Sequence, residues 1–122
     1  MPYRDTGWTM DTFIEFLFGS ERVYAVSTLV EEAQRVSDRL VGSPADPALR
    51  RALRQQLHDL RERADANRWV REGDIAAALV DLPVTPNDGR LSMQQVRAGL
   101  QVLHQLVQGR LSHLIALHQA AA

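Results

Sequence analysis

The sequence predicts an all-α fold, a bundle of four to five helices with a long central C-terminal helix. Three observations carry this. Apolar residues recur at spacings of three and four in every long segment, the period of a helix seam. Glycine and proline punctuate the chain between those segments, at Gly42-Ser43-Pro44, Asp46-Pro47, Gly73 and Pro83. No stretch alternates apolar and polar residues in the manner of a half-buried strand.

The longest apolar-periodic segment, residues 91–118, anchors the rest. Ser92 and Gln95 fit a capping box at its start. Met93, Val96, Leu100, Leu103, Val107, Leu111 and Leu114 share one face. Ala98, Gly99, Val102, Leu106, Gly109, Ala116 and Leu117 form a second sector, and the remaining strip is mostly glutamine. The segment contains no acidic residue. A helix apolar over most of its circumference is expected to be enclosed over most of it. Its small residues would let a second helix backbone approach closely, so self-association through Ala98, Val102, Leu106, Gly109 and Ala116 is expected, as a homodimer.

Taken from the N-terminus, residues 1–19 form an aromatic arm or short helix, with residues 20–122 as the bundle and the whole as one domain. Gly19 is expected to end the short helix and Ser20 to cap the next. Trp8, Phe13, Phe16 and Phe18 are the candidate partner-binding residues, because exposed aromatics concentrate interface energy. The second helix, to about residue 41, buries Val23, Val26, Leu29, Val30, Ala33, Val36 and Leu40. Asp46 caps a third helix with Pro47 in its first turn. This helix is expected to run to about residue 68, and Leu49, Leu53, Leu57, Leu60 and Ala64 make its core stripe. Gly73 is expected to break the chain and Asp74 to cap a short helix over residues 75–82. The loop after Pro83 has too few carboxylates for calcium.

Arg50, Arg54, Arg61 and Arg68 fall within about 40° of one another on the third helix. They could track phosphates, or lie along the core edge and pair with acids of the second helix. Asp59, Glu62 and Asp65 dilute the patch, and no aromatic platform accompanies it.

The composition removes several chemistries. All fourteen basic residues other than histidine are arginine, and there is no cysteine. Disulfides, thiolate metal sites and a cysteine nucleophile are therefore excluded. A net charge of −1 gives no global attraction for nucleic acid or an anionic membrane. No segment approaches the ~20 apolar residues of a membrane span. The first residues lack the pattern of a signal peptide, so a cytoplasmic location is expected. The arginine- and alanine-rich composition suggests a bacterial source. His113 and His118 are five residues apart on one helix, the wrong spacing for joint metal ligation. No Glu-x-x-His pair and no glycine-rich phosphate loop occurs. No metal, cofactor or catalytic residue is assigned.

Arg110 falls at the edge of the apolar face of the long helix and His118 inside it. Such an arginine needs an acidic partner from another helix, because a buried unpaired charge costs several kcal/mol. Alternatively His104, Arg110 and His118 line a pocket for an anionic ligand. The leading reading is a non-enzymatic protein–protein interaction module, a homodimeric adaptor, chaperone-like factor or regulator. A nucleic-acid binder using the arginine stripe is the alternative, and a small ligand-binding or enzymatic bundle is the third.

Overall fold

A computed structural model describes residues 10–82 and 89–121, with the side chains of residues 11–13, 15, 89–92 and 121 left aside. Among these residues every regular element is an α-helix, and short turns join them. The helices are α1 (Met10–Gly42), α2 (Pro47–Ala66), α3 (Val70–Val80) and α4 (Gly89–Ala121). Trp8 and the loop at 83–88 lie outside the described residues, as does the Phe13 side chain.

The four helices form a ring in which each packs on its neighbours in sequence and α4 closes back onto α1. Contacts fix the directions. Gly19 of α1 lies against Leu114 of α4, and Asp38 of α1 pairs with Arg97 of α4 at 3.1 Å, so these two helices are antiparallel. Glu72 meets Arg110, and Leu79 meets Gly99, so α3 and α4 are antiparallel too. The result is an up-down-up-down bundle.

The core residues are the periodic ones. Val23, Val26, Val30, Ala33 and Leu40 of α1 meet Leu53, Leu57 and Leu60 of α2. Met93, Val96, Leu100, Leu103, Val107 and Leu114 of α4 close the core, with Ala76 and Leu79 of α3. A buried leucine in such a core is worth about 2–3 kcal/mol of transfer free energy.

Four expectations are corrected. First, α1 runs without a break through Gly19 and Ser20. Gly19 does not end a helix: a Cβ there would lie 3.2 Å from Leu114 Cδ2, so the glycine serves close packing of α1 on α4. Ser20 caps nothing, and its hydroxyl donates back to the Phe16 carbonyl at 2.7 Å within the helix.

Second, α2 stops at Ala66. The amide of Trp69 donates to the Ala64 carbonyl and that of Arg68 to the Asp65 carbonyl, the pattern of a Schellman turn. Arg68 occupies its left-handed position with φ 60°, where glycine is usual. The start of α2 is as expected, with Asp46 Oδ1 accepting from the amides of Ala48 and Leu49 at 2.9 and 3.3 Å.

Third, α3 begins at Val70, so Gly73 lies inside it and Asp74 is no cap. A Cβ on Gly73 would fall 2.8 Å from Asp65 Oδ1, and its absence lets α3 cross α2. Fourth, α4 is a wall of the ring, buried along one seam and wet on the other side. It is helical from Gly89, which places Ser92 inside the helix and not at its cap. Ala98, Val102, Gly109 and Ala116 are exposed, as are Gln94, Gln101 and Gln105. The chain itself does not enclose this helix.

Candidate functional site

Helix lengths determine where the bundle opens. The helices α1 and α4 have 33 residues each, against 20 in α2 and 11 in α3. At 1.5 Å per residue the long pair is roughly 50 Å long, and α2 only about 30 Å. Among the described residues of α1 the first fully buried one is Val23, and those before it are half-buried or exposed, an overhang beside the C-terminal end of α4. This overhang exposes Met10, Ile14, Leu17 and Phe18 of α1 and Ile115 of α4. Within it Phe16 and His118 stack at 5.2 Å with an interplanar angle of 23°.

Where the overhang meets the start of α3 there is a half-open cleft of ≈ 710 Å³. Ile14, Phe18, Gly19, Arg22 and Val23 line it from α1. Gln105, Leu106, Gly109, Arg110, His113 and Leu114 line it from α4. Trp69, Arg71 and Glu72 close its end.

Its one engineered-looking feature is a charge pair. Glu72 is buried, only 1% exposed. Arg110 grips it side-on, with Nε donating to Oε2 and Nη2 donating to Oε1 at 3.2 Å. The guanidinium carbon also lies 4.2 Å from the centroid of the Trp69 ring, a cation–π contact. Arg110 therefore finds the acid that its position demands. The Arg110 side chain remains 37% exposed, so one edge of the pair faces the cleft.

The other sequence-predicted residues are placed as follows. His113 lines the cleft; His104 and His118 do not. Phe18 lines it at 53% exposure, and Phe16 is half-buried on His118. Of the proposed self-association residues, Leu106 and Gly109 also line the cleft, whereas Ala98, Val102 and Ala116 lie elsewhere on α4. Arg54 and Arg61 are exposed on α2, with Arg61 loosely approached by Asp65 at 3.9 Å. Arg50 is half-buried and reaches the Ala45 carbonyl at 3.5 Å. Arg68, in the turn after α2, is off the helical stripe. Among the described residues none of these arginines pairs with an acid of α1.

Glu72, Trp69, Arg22 and Arg71 were not legible as site residues. Only the unmet charge of Arg110 signalled that an acid must face it. Among the described residues no cluster of three potential metal ligands occurs, and no helix is long and apolar enough to cross a membrane. Compared with known proteins, the chain matches no family model, no curated protein and no solved structure.

Proposed function

We propose that this chain is a non-enzymatic protein–protein interaction module, an adaptor, chaperone-like factor or regulator, whose docking surface is the α1–α4 overhang with its cleft. The observation that carries the reading is the group of large apolar side chains left in water there: Ile14, Leu17 and Phe18 on α1 and Ile115 on α4. Exposed large apolar side chains gathered at a cleft mark an interaction site, and Ile14 and Phe18 line this one together. Aromatic anchors such as Phe18 are where interface energy concentrates. Replacing Ile14 and Phe18 together with serine tests it. Both are solvent-facing, so the fold is retained, and capture of protein partners from the host is abolished. Undiminished capture of the same partners by the double variant refutes the assignment of this surface.

Homodimerisation belongs to the same proposal. Ala98, Val102, Gly109 and Ala116 face solvent within one chain, and Val102 is 44% exposed. This leaves the small-residue sector of α4 open to a second copy. Sedimentation of the wild type against Val102→Glu is the test. A dimer that the glutamate dissociates supports it, and a wild-type monomer at tens of micromolar removes it.

A further inference from the structure

We infer that the cleft receives an amphipathic helix of a partner protein that carries acidic residues beside its apolar stripe. This rests on the docking role proposed above and specifies the partner's chemistry.

The charge balance of the cleft points to acids. Among the described residues the carboxylate that lines it, Glu72, is buried and fully engaged by Arg110. Arg22 and Arg71 also line the cleft, both exposed, and among the described residues neither lies within ion-pairing distance of an acid. His113 adds an exposed imidazole to the lining. Phe18, Trp69, Leu106 and Leu114 supply the apolar lining. An apolar floor with a cationic rim selects an occupant that is apolar on one side and anionic at its edges.

The shape points to a helix. The walls run from residue 14 to 23 on α1 and from 105 to 114 on α4, about 13 Å or two and a half helical turns. That length matches anchors at i, i+3, i+4 and i+7. A small-molecule site encloses about 70–90% of its ligand. This cleft is half-open along its length, with Ile14 and Phe18 in its wall still exposed. Gly109 in the wall has nothing within 4 Å of where its Cβ would be, so a helix backbone can approach α4 there. The α4 of a second copy does not suit the rim, because that helix has no acidic residue to offer Arg22 and Arg71.

The test uses the wild-type chain for calorimetry, and Trp8→Phe, which leaves Trp69 in the cleft as the sole tryptophan, for fluorescence alone. The probes are three designed, end-capped peptides of fifteen residues. One has a leucine stripe flanked by glutamates, one the same stripe flanked by lysines, and one is a scrambled glutamate peptide. Sodium decanoate serves as a small amphipathic anion. Saturable Trp69 fluorescence change and calorimetric binding are expected with the acidic peptide, weakening with salt. The scrambled and lysine peptides are expected to bind at least about tenfold more weakly. Arg22→Glu with Arg71→Glu, both solvent-facing, lowers affinity for the acidic peptide by about tenfold, or about 1.4 kcal/mol.

Equal binding of acidic and lysine peptides overturns the acidic partner while leaving the docking surface intact. Binding by no peptide overturns the inference, and the Ile14 and Phe18 double variant then decides whether the surface docks a partner at all. Decanoate bound in preference to every peptide reassigns the cleft to a small amphipathic anion and overturns the inference. So does a wild-type dimer whose interface buries Trp69.

Discussion

Removing Arg110 should be far more damaging than its partly exposed position suggests, because of what it leaves behind. In Arg110→Met the Glu72 carboxylate stays in a site where it is 1% exposed, with both oxygens stripped of their donors. Breaking a buried pair from one side costs about 3–5 kcal/mol. The 37% exposure of the Arg110 side chain shows that water reaches one edge of the pair, which argues for the low end of that range. Loss of the Trp69 contact adds about 0.5–1 kcal/mol. The expected cost is therefore about 3.5–4 kcal/mol, or roughly 15 °C in Tm for a chain of this size. Glu72→Leu leaves Arg110 free to turn into the cleft and hydrate, so its cost is about 1–2 kcal/mol. The double variant, with an apolar pair of similar volume, should return to within about 1 kcal/mol of wild type. Urea unfolding followed by far-UV circular dichroism gives all four corners of the cycle. A coupling energy below about 1 kcal/mol, or a double variant as unstable as the sum of the singles, refutes the pairing as a buried, mutually dependent contact.

Two glycines of one helix should respond with opposite signs. Gly99→Ala places a methyl 2.6 Å from the buried Leu79 Cδ2 and should lose about 1–2 kcal/mol, while Gly109→Ala meets nothing and should gain about 1 kcal/mol of helix propensity. Denaturant midpoints of the two variants check this pair. Arg68→Gly relieves a left-handed residue at the end of α2 and should raise stability by about 1 kcal/mol in the same assay. The Ser37 hydroxyl is buried without a hydrogen-bond partner among the described residues, so Ser37→Ala should stabilise by about 1 kcal/mol, and a loss of stability would reveal a partner for that hydroxyl. Amide exchange should be faster by several orders of magnitude over residues 14–20 than over 26–40 of the same helix α1, because the first fully buried one among its described residues is Val23; uniform protection along α1 would contradict the overhang.

The core was written plainly in the sequence, and the reason is periodicity. Each residue of the Val23-to-Leu40 face, the Leu49-to-Ala64 stripe and the Met93-to-Leu114 seam is buried or half-buried. Boundaries were less legible, because a glycine marks either a helix end or a close approach between helices. Only the neighbour decides, and Leu114 beside Gly19 and Asp65 beside Gly73 are distant in sequence. The acid for Arg110 was foreseen as a need but not as Glu72, which lies ahead of the helix expected over residues 75–82 and falls in the first turn of α3. Its burial follows from where α3 begins, three residues before the glycine that was expected to precede it. The histidines of the candidate pocket were misplaced for a similar reason. His118 lies on the apolar face as expected, but Phe16 occupies the space beside it, and His113 reaches the cleft from the adjoining sector.

The break expected at Gly19 had a larger consequence, because it concealed the length of α1. A bundle built from a short arm, three medium helices and one long helix would close on itself, with the arm filling whatever gap remained. A 33-residue α1 antiparallel to a 33-residue α4 cannot be closed by helices of 20 and 11 residues. The two long helices must extend past the two short ones, and Ile14 and Phe18 of α1 stand in the wall of the resulting cleft, still exposed. A sequence selected only for an isolated bundle would place polar residues on that extension. This one places Ile14, Leu17 and Phe18 there, beside a cationic rim at Arg22 and Arg71. Retaining apolar side chains in water while building a buried ion pair at the foot of the same cleft is consistent with a surface shaped to be covered by another chain.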